Sequence, residues 1–204
     1  MTQQPQLYLI LPTGAPMATL TDTLTAVLDR HPLACIRIPG AGDESDLGRV
    51  ADQVRDIAHA RDIAVVIDDH IRLAQRHGLD GVHLTDGARG VRDARKELGA
   101  DAIVGAFCSN SRHDGMNAAE AGADYVAFGP LGETALGRGE PAPLDLFQWW
   151  SEMIEVPVVA EGAITRALLA DLAPVTDFVA IGTEIWSADD PAAALAALWG
   201  DLGQ

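Results

Sequence analysis

The sequence predicts an α/β protein built as a single-domain (β/α)8 TIM barrel. Short runs of β-branched and apolar residues alternate with longer segments of helical period, and eight such units follow one another. The chain has 204 residues, which suits a minimal barrel, and no linker or low-complexity tract divides it. We therefore assign 1–204 to one barrel domain. An open, doubly wound sheet is the alternative architecture.

Local periodicity places the expected elements along the chain. Strands are expected at 7–11, 34–38, 64–67, 81–84, 102–106, 125–128, 156–160 and 178–181. Helices, with apolar residues three or four positions apart, are expected at sites that include 47–60, 72–77, 91–98, 117–121 and 166–172. The stretch 129–143 is rich in Gly and Pro and has no period, so it predicts a long loop after the sixth strand. In a barrel this loop lies on the catalytic face.

Charge and composition restrict the partners and the compartment. The formal net charge of −16 excludes nucleic acid and anionic membranes, because a polyanion would be repelled over most of the surface. The two cysteines, Cys35 and Cys108, have neither metal-ligand spacing nor the number needed for a disulfide framework. No apolar run reaches the ~20 residues of a membrane-spanning helix. We expect a cytoplasmic protein that binds a small molecule, and a homo-oligomer is compatible with the sequence.

Small residues at the ends of the last two strands predict a phosphate site. Gly162 and Ala163 follow the seventh strand, and Gly182 and Thr183 follow the eighth. Small side chains let backbone N–H groups approach a phosphate, and these two loops are the usual phosphate site of such barrels. The expected ligand is therefore a phosphorylated small molecule. The alternative is that the glycines only serve tight strand-to-helix turns.

Two adjacent acids, Asp68 and Asp69, end the third strand. Neighbouring strand residues point to opposite faces, so at most one of the two faces a bound ion. We expect Asp69 to hold Mg²⁺ together with substrate phosphate oxygens, and the alternative for Asp68 is a helix N-cap with a salt link to Arg72. His83, between apolar neighbours on the fourth strand, is expected to line the barrel without a catalytic role.

A longer pattern resembles the thiamine phosphate synthase family and the related thiazole tautomerases. It comprises the segments VIDDHIRLA (66–74), GLDGVHL (78–84), IVG (103–105) and AGADYVAFGP (121–130). In that family a hydroxymethylpyrimidine pyrophosphate and a thiazole phosphate meet at the strand ends, and the thiazole nitrogen displaces pyrophosphate with the help of Mg²⁺. The resemblance therefore implies a transferase of thiamine biosynthesis.

The resemblance also implies roles for individual residues. Those expected to act in catalysis are Arg37, Asp69, Thr134 and Arg138. Substrate-binding roles fall on Asp68, Cys108 and Gly129, and phosphate-binding roles on Gly162, Ala163, Gly182 and Thr183. Asp69 and Asp86 are the expected metal ligands, with Asp86 displaced by two positions from the family's second aspartate.

Several departures from the family pattern fall on the pyrophosphate end of the site. Lysines are expected where this chain has Pro39 and Gly137, so Arg37 and Arg138 are the remaining cations. One charge-assisted contact is worth about 1.5–3 kcal/mol, so we expect synthase turnover to be absent or low. Two alternatives stay open: a metal-independent isomerase of thiazole phosphate, whose catalytic histidine would fall on Ser109, and a non-catalytic binder of a thiamine-related phosphate ester.

Overall fold

The computed structural model, which describes residues 4–134, 136 and 140–200, contains a closed barrel of parallel strands. Each strand pairs with the next along the chain, and β1 also pairs with β8, with Gln6 opposite Phe178 and Leu9 opposite Ile181. The (β/α)8 prediction is therefore confirmed, and the open-sheet alternative is wrong. The strands are β1 (Gln6–Ile10), β2 (Cys35–Ile38), β3 (Ala64–Asp68), β4 (Gly81–Leu84), β5 (Ile103–Phe107), β6 (Tyr125–Phe128), β7 (Val158–Glu161) and β8 (Phe178–Ile181).

Helices surround the barrel. They are α1 (Met17–Leu28), α2 (Glu44–His59), α3 (Ile71–His77), α4 (Val91–Leu98), α5 (Arg112–Ala121), α6 (Leu144–Met153), α7 (Arg166–Leu172), α8 (Thr183–Trp186) and α9 (Pro191–Trp199). Helix α5 begins five residues earlier than periodicity predicted, because the Ser111 hydroxyl accepts a hydrogen bond from the Asp114 N–H and caps it. Within the described part of the chain, no helix has both the length and the apolar content needed to cross a bilayer.

Strand residues alternate between two apolar clusters. One face of each strand packs against the helices, where residues such as Leu9, Ile36 and Val126 are fully buried. The other face points into the barrel, where Tyr8, Val66 and other residues form a smaller cluster. This separation follows from the two-residue period of a strand. The barrel interior is therefore packed, and a ligand can enter only at its rim.

Gly105 on β5 is required by close packing inside the barrel. A Cβ atom added there would overlap the ring of Tyr125 on the neighbouring strand β6. We expect Gly105→Ala to lower the free energy of unfolding by about 1–3 kcal/mol, the usual cost of overpacking a core. Urea denaturation of the variant measures this loss.

A double-mutant cycle tests the cause of that loss. In a Tyr125→Ala background the added methyl group has room, so Gly105→Ala is expected to cost much less than in the wild type. An equal cost in both backgrounds would show that the Tyr125 ring is not the obstacle.

Candidate active site

A cavity of about 500 Å³ opens at the carboxyl ends of β1, β2, β7 and β8. Its wall includes Trp186, whose indole N–H donates to the Ile10 carbonyl oxygen at 2.7 Å and so holds the ring between β8 and β1. The other lining residues come from the strand ends and the loop after β6: Ile10, Leu11, Pro12, Thr13, Arg37, Pro39, Thr134, Leu136, Glu161, Gly162, Ala180, Gly182, Thr183 and Glu184. Polar groups thus converge where the barrel fold places active sites.

Arg37 forms the floor of this cavity and is held by two carboxylates. Its Nη1 donates to Glu161 Oε2 at 2.7 Å, and its Nε lies 3.3 Å from Asp68 Oδ1. All three side chains are largely buried, with exposed fractions of 8% for Arg37, 1% for Glu161 and 14% for Asp68. A buried charge needs such partners, because transfer out of water is otherwise very costly.

The cluster carries one more negative than positive charge when all three groups are ionised. Burial lowers the pKa of Arg37, but Glu161 and Asp68 outweigh that effect, so the pKa is raised and the guanidinium stays protonated. Burial raises the pKa of Asp68 to about 6; Arg37 opposes the shift, whereas Glu161 and Asp69 add to it. Asp68 therefore changes charge near neutral pH.

A hydrogen-bonded chain continues from Arg37 into the barrel. Arg37 Nη1 donates to His83 Nε2 at 2.9 Å, and since an arginine cannot accept, the ring proton of His83 lies on Nδ1. That nitrogen donates to the Tyr125 hydroxyl at 2.9 Å, and the Tyr125 and Tyr8 hydroxyls are 2.8 Å apart. Burial and the nearby Arg37 charge lower the pKa of His83, so the imidazole is neutral. It lines the barrel interior, the position expected for it.

The turns after β7 and β8 lie side by side, joined by a carboxylate. Glu184 Oε2 accepts from the Gly182 N–H at 2.7 Å, and Glu184 Oε1 accepts from the Ile164 N–H at 3.1 Å. Gly162 and Ala163 take the left-handed conformation, with φ of 84° and 58°, in the turn that leads to Ile164. The Glu184 carboxylate therefore occupies two backbone donors, Gly182 N–H and Ile164 N–H, in the turns where the phosphate site is predicted.

Comparison with known proteins identifies the family. The thiamine monophosphate synthase family model matches residues 7–185. The chain is 42% identical over 202 residues to the thiamine-phosphate synthase of Rhodospirillum centenum, covering 94% of each chain. It is 41% identical over 155 residues to that of Erythrobacter litoralis, covering 74% of this chain and 73% of the relative. The chain belongs to the thiamine monophosphate synthase family.

Solved structures agree with the barrel fold. A thiamine phosphate pyrophosphorylase from Pyrococcus furiosus superposes with a TM-score of 0.81 at 21% identity, covering 93% of this chain and 91% of that chain. A mutant tryptophan synthase α-subunit from the same organism superposes with a TM-score of 0.73 at 13% identity, covering 98% of this chain and 100% of that chain. At such low identities these likenesses support the fold alone, whereas family membership depends on the sequence relatives.

The two acids expected to hold metal in this family member lie in different surroundings. Asp69 has a left-handed backbone, with φ of 55°, and its carboxylate accepts hydrogen bonds from the N–H (2.9 Å) and the hydroxyl of Thr85. Asp86 is exposed and pairs with Arg89 at 2.9 Å. Asp69 is thus held in place at the strand ends, whereas Asp86 is engaged on the surface.

Asp68 pairs with Arg37 and does not cap the following helix. Helix α3 begins at Ile71 after His70, without a side-chain cap hydrogen bond, and Asp68 is turned towards Arg37. The N-cap alternative is wrong, because the buried guanidinium offers a stronger electrostatic partner than a helix terminus.

The remaining predicted residues divide between the cavity and its surroundings. The Thr134 hydroxyl lines the cavity and accepts from the Leu136 N–H at 3.0 Å. Gly129 contacts β7 so closely that a Cβ atom would overlap the Glu161 carbonyl. Cys108 is buried, and burial raises the pKa of its thiol to about 12. Arg138 lies outside the described residues.

Two functional candidates were not assigned a role from the sequence. Glu161 lies directly before the predicted phosphate residue Gly162 and provides the closest partner of Arg37. Glu184 follows directly after the predicted phosphate residue Thr183. In both cases the signal in the sequence was an acidic residue in or beside a turn that is expected to bind an anion. The hydrogen-bond and ion-pair partners of these acids are evident only in the tertiary structure.

The raised pKa of Asp68 predicts a pH-dependent stability. The pKa of Asp68 is about 6 in the folded state, above its ordinary value of 3.8, so the folded state binds the proton more tightly than the unfolded state does. The free energy of unfolding therefore falls as the pH rises from 3.8 to about 6. Asp68→Asn removes the ionised form, and we expect it to stabilise the protein by about 1–3 kcal/mol more at about pH 8 than at about pH 4.5.

Urea unfolding at both pH values measures the difference. The exposed Asp101→Asn is the matched control, and it is expected to change stability equally little at the two values. If Asp68→Asn shows the same pH profile as this control, Asp68 does not carry the proton.

Proposed function

We propose that the protein joins hydroxymethylpyrimidine pyrophosphate to a thiazole phosphate and releases pyrophosphate, as a cytoplasmic transferase of thiamine biosynthesis. The observation that carries the proposal is the identity to curated thiamine-phosphate synthases over nearly the whole chain. The cavity at the strand ends supports it, because its size and its mixed polar and apolar lining suit two small heterocycles. Two buried, unpaired cysteines fit a reducing compartment.

The proposed reaction needs charge control more than a protein nucleophile. The thiazole nitrogen forms a bond to the methylene carbon of the pyrimidine, and the bond from that carbon to the pyrophosphate oxygen breaks with its electron pair leaving on oxygen. Burial keeps the Cys108 thiol protonated, so it is unsuited to attack the carbon. The work of the protein is to orient the two rings and to stabilise the charge on the leaving group.

The pyrophosphate end has few cations in the described residues. The charge of Arg37 is already offset by Glu161 and Asp68, and Pro39 replaces one expected lysine. The segment that replaces the second lysine contains Arg138, and an arginine there supplies a planar, bidentate donor for a phosphate group. Arg138 is therefore the proposed additional cation for the leaving group, and we expect low turnover.

Magnesium is the proposed cofactor, and one carboxylate fits it. Asp69 is fixed by Thr85, and carboxylate oxygens keep further lone pairs for an ion. Among the described residues, no three His, Cys, Asp or Glu side chains cluster as a metal cage. Mg²⁺ commonly binds through one or two carboxylates plus substrate phosphates, so Asp69 would hold it together with pyrophosphate oxygens. When bound, the ion neutralises developing charge on the leaving group.

Magnesium binding in the presence of inorganic pyrophosphate tests the role of Asp69. Asp69→Asn keeps the shape but removes the charge, so we expect Mg²⁺ affinity to fall roughly tenfold to a hundredfold, the equivalent of one charge-assisted contact. Isothermal titration calorimetry measures this change. Asp86→Asn is the companion variant and is expected to have a smaller effect, because Asp86, the weaker predicted ligand, also pairs with Arg89. Unchanged affinity in Asp69→Asn would contradict the assignment.

A steady-state assay of pyrophosphate release tests the function itself. We expect slow release by the wild type, a further loss of about tenfold or more in Arg138→Ala, and a gain in Gly137→Lys, since each change removes or adds one cation at the leaving group. High wild-type activity that Arg138→Ala leaves intact would show that other groups hold the pyrophosphate. No release despite binding of both substrates would favour the non-catalytic binder.

A further inference from the structure

Glu184 occupies two backbone donors in the turns where a phosphate is predicted to bind. Its two carboxylate oxygens accept from Gly182 N–H and Ile164 N–H, which belong to the turns after β8 and β7. A single side chain therefore bridges the two turns. A carboxylate has the same preference for converging N–H donors as a phosphate, so Glu184 is an internal anion in the two turns that form the predicted phosphate site.

A phosphate cannot share these donors with the carboxylate. Each N–H group has one proton to donate, and two anions at hydrogen-bond distance from the same donors would repel each other strongly. Glu161 lines the same cavity, and the Arg37 charge in its floor is already paired with Glu161 and Asp68. Within the described part of the chain, the cavity thus offers an arriving dianion no unpaired cation to offset Glu184.

We infer that Glu184 is a specificity-determining residue that competes with the phosphate of the thiazole acceptor. The acceptor phosphate has to displace the carboxylate before it reaches Gly182 and Ile164. The wild-type protein therefore binds the thiazole phosphate little better than the dephosphorylated thiazole alcohol, whose hydroxyl can donate to Glu184 where it lies. The identity of the acceptor rests on the proposed function; the competition itself rests only on the contacts of Glu184.

The position of Glu184 permits displacement of its side chain. Its side chain is only partly buried, so the released carboxylate can be hydrated. The neighbouring Thr183 is exposed, whereas Ile185 is fully buried and anchors α8 independently of Glu184. The backbone that carries Glu184 therefore stays in place when its side chain leaves.

Calorimetric titration with three probes tests the inference: thiazole phosphate, thiazole alcohol and inorganic phosphate. We expect Glu184→Ala to bind the two phosphate-containing probes roughly tenfold or more tightly than the wild type, the factor that one charge-assisted contact carries, while the affinity for the alcohol does not rise. Glu184→Gln keeps the size and removes the charge, so it is expected to give a smaller gain. Asp189→Ala, which removes an exposed acid nearby, is expected to give none.

The possible outcomes separate the inference from the proposed function. Equal phosphate affinity in the wild type, Glu184→Ala and Glu184→Gln overturns the inference. Weaker phosphate binding in folded variants also overturns it, because Glu184 would then stabilise the two turns in their binding conformation. Thermal unfolding shows whether each variant is folded, and Glu184→Gln carries the test if Glu184→Ala is not. A gain for inorganic phosphate without any pyrophosphate release in the assay keeps the inference and rejects the synthase function.

Discussion

The ion pairs of Arg37 inside the barrel constrain the rest of the site. Glu161 on β7 and Asp68 on β3 hold the guanidinium of Arg37 on β2, so the neighbouring strands β2 and β3 are joined at their carboxyl ends to β7, which is distant in sequence. Removing the Arg37 guanidinium would leave two buried carboxylates without a partner, and the loss of one partner of a buried ion pair typically costs about 3–5 kcal/mol. The floor of the cavity is therefore a fixed electrostatic element, and the positive charge of Arg37 is largely neutralised by the protein's own carboxylates.

The hydrogen-bonded chain beneath Arg37 extends this rigidity through the barrel. Neutral His83 accepts from Arg37 and donates to Tyr125, whose hydroxyl contacts that of Tyr8. Burial raises the pKa of both tyrosines, so neither hydroxyl is a base at neutral pH. Chemistry is consequently confined to the rim, where the loops supply the groups that meet substrate.

The two ends of the rim differ in the charged groups that they contain. At the proposed pyrophosphate end, Asp69 is held by Thr85 and is the proposed cation ligand, and the cations expected from the family are reduced in number. At the proposed acceptor end, the turns after β7 and β8 already contain the Glu184 carboxylate. In a chain with a formal net charge of −16, the proposed binding of anionic substrates depends on a few local contacts, each of which matters more than the distant field.

The sequence by itself determined the barrel, the approximate strands, the family and the location of the turns at Gly162 and Gly182. Such features follow from periodicity and from local motifs, which depend on neighbours along the chain. Only the tertiary structure decided that Asp68 and Glu161 pair with Arg37 and that Glu184 bridges the two turns. Arg37 and Glu161 are 124 positions apart, and their contact exists only because the barrel closes and brings the strand ends within hydrogen-bond distance.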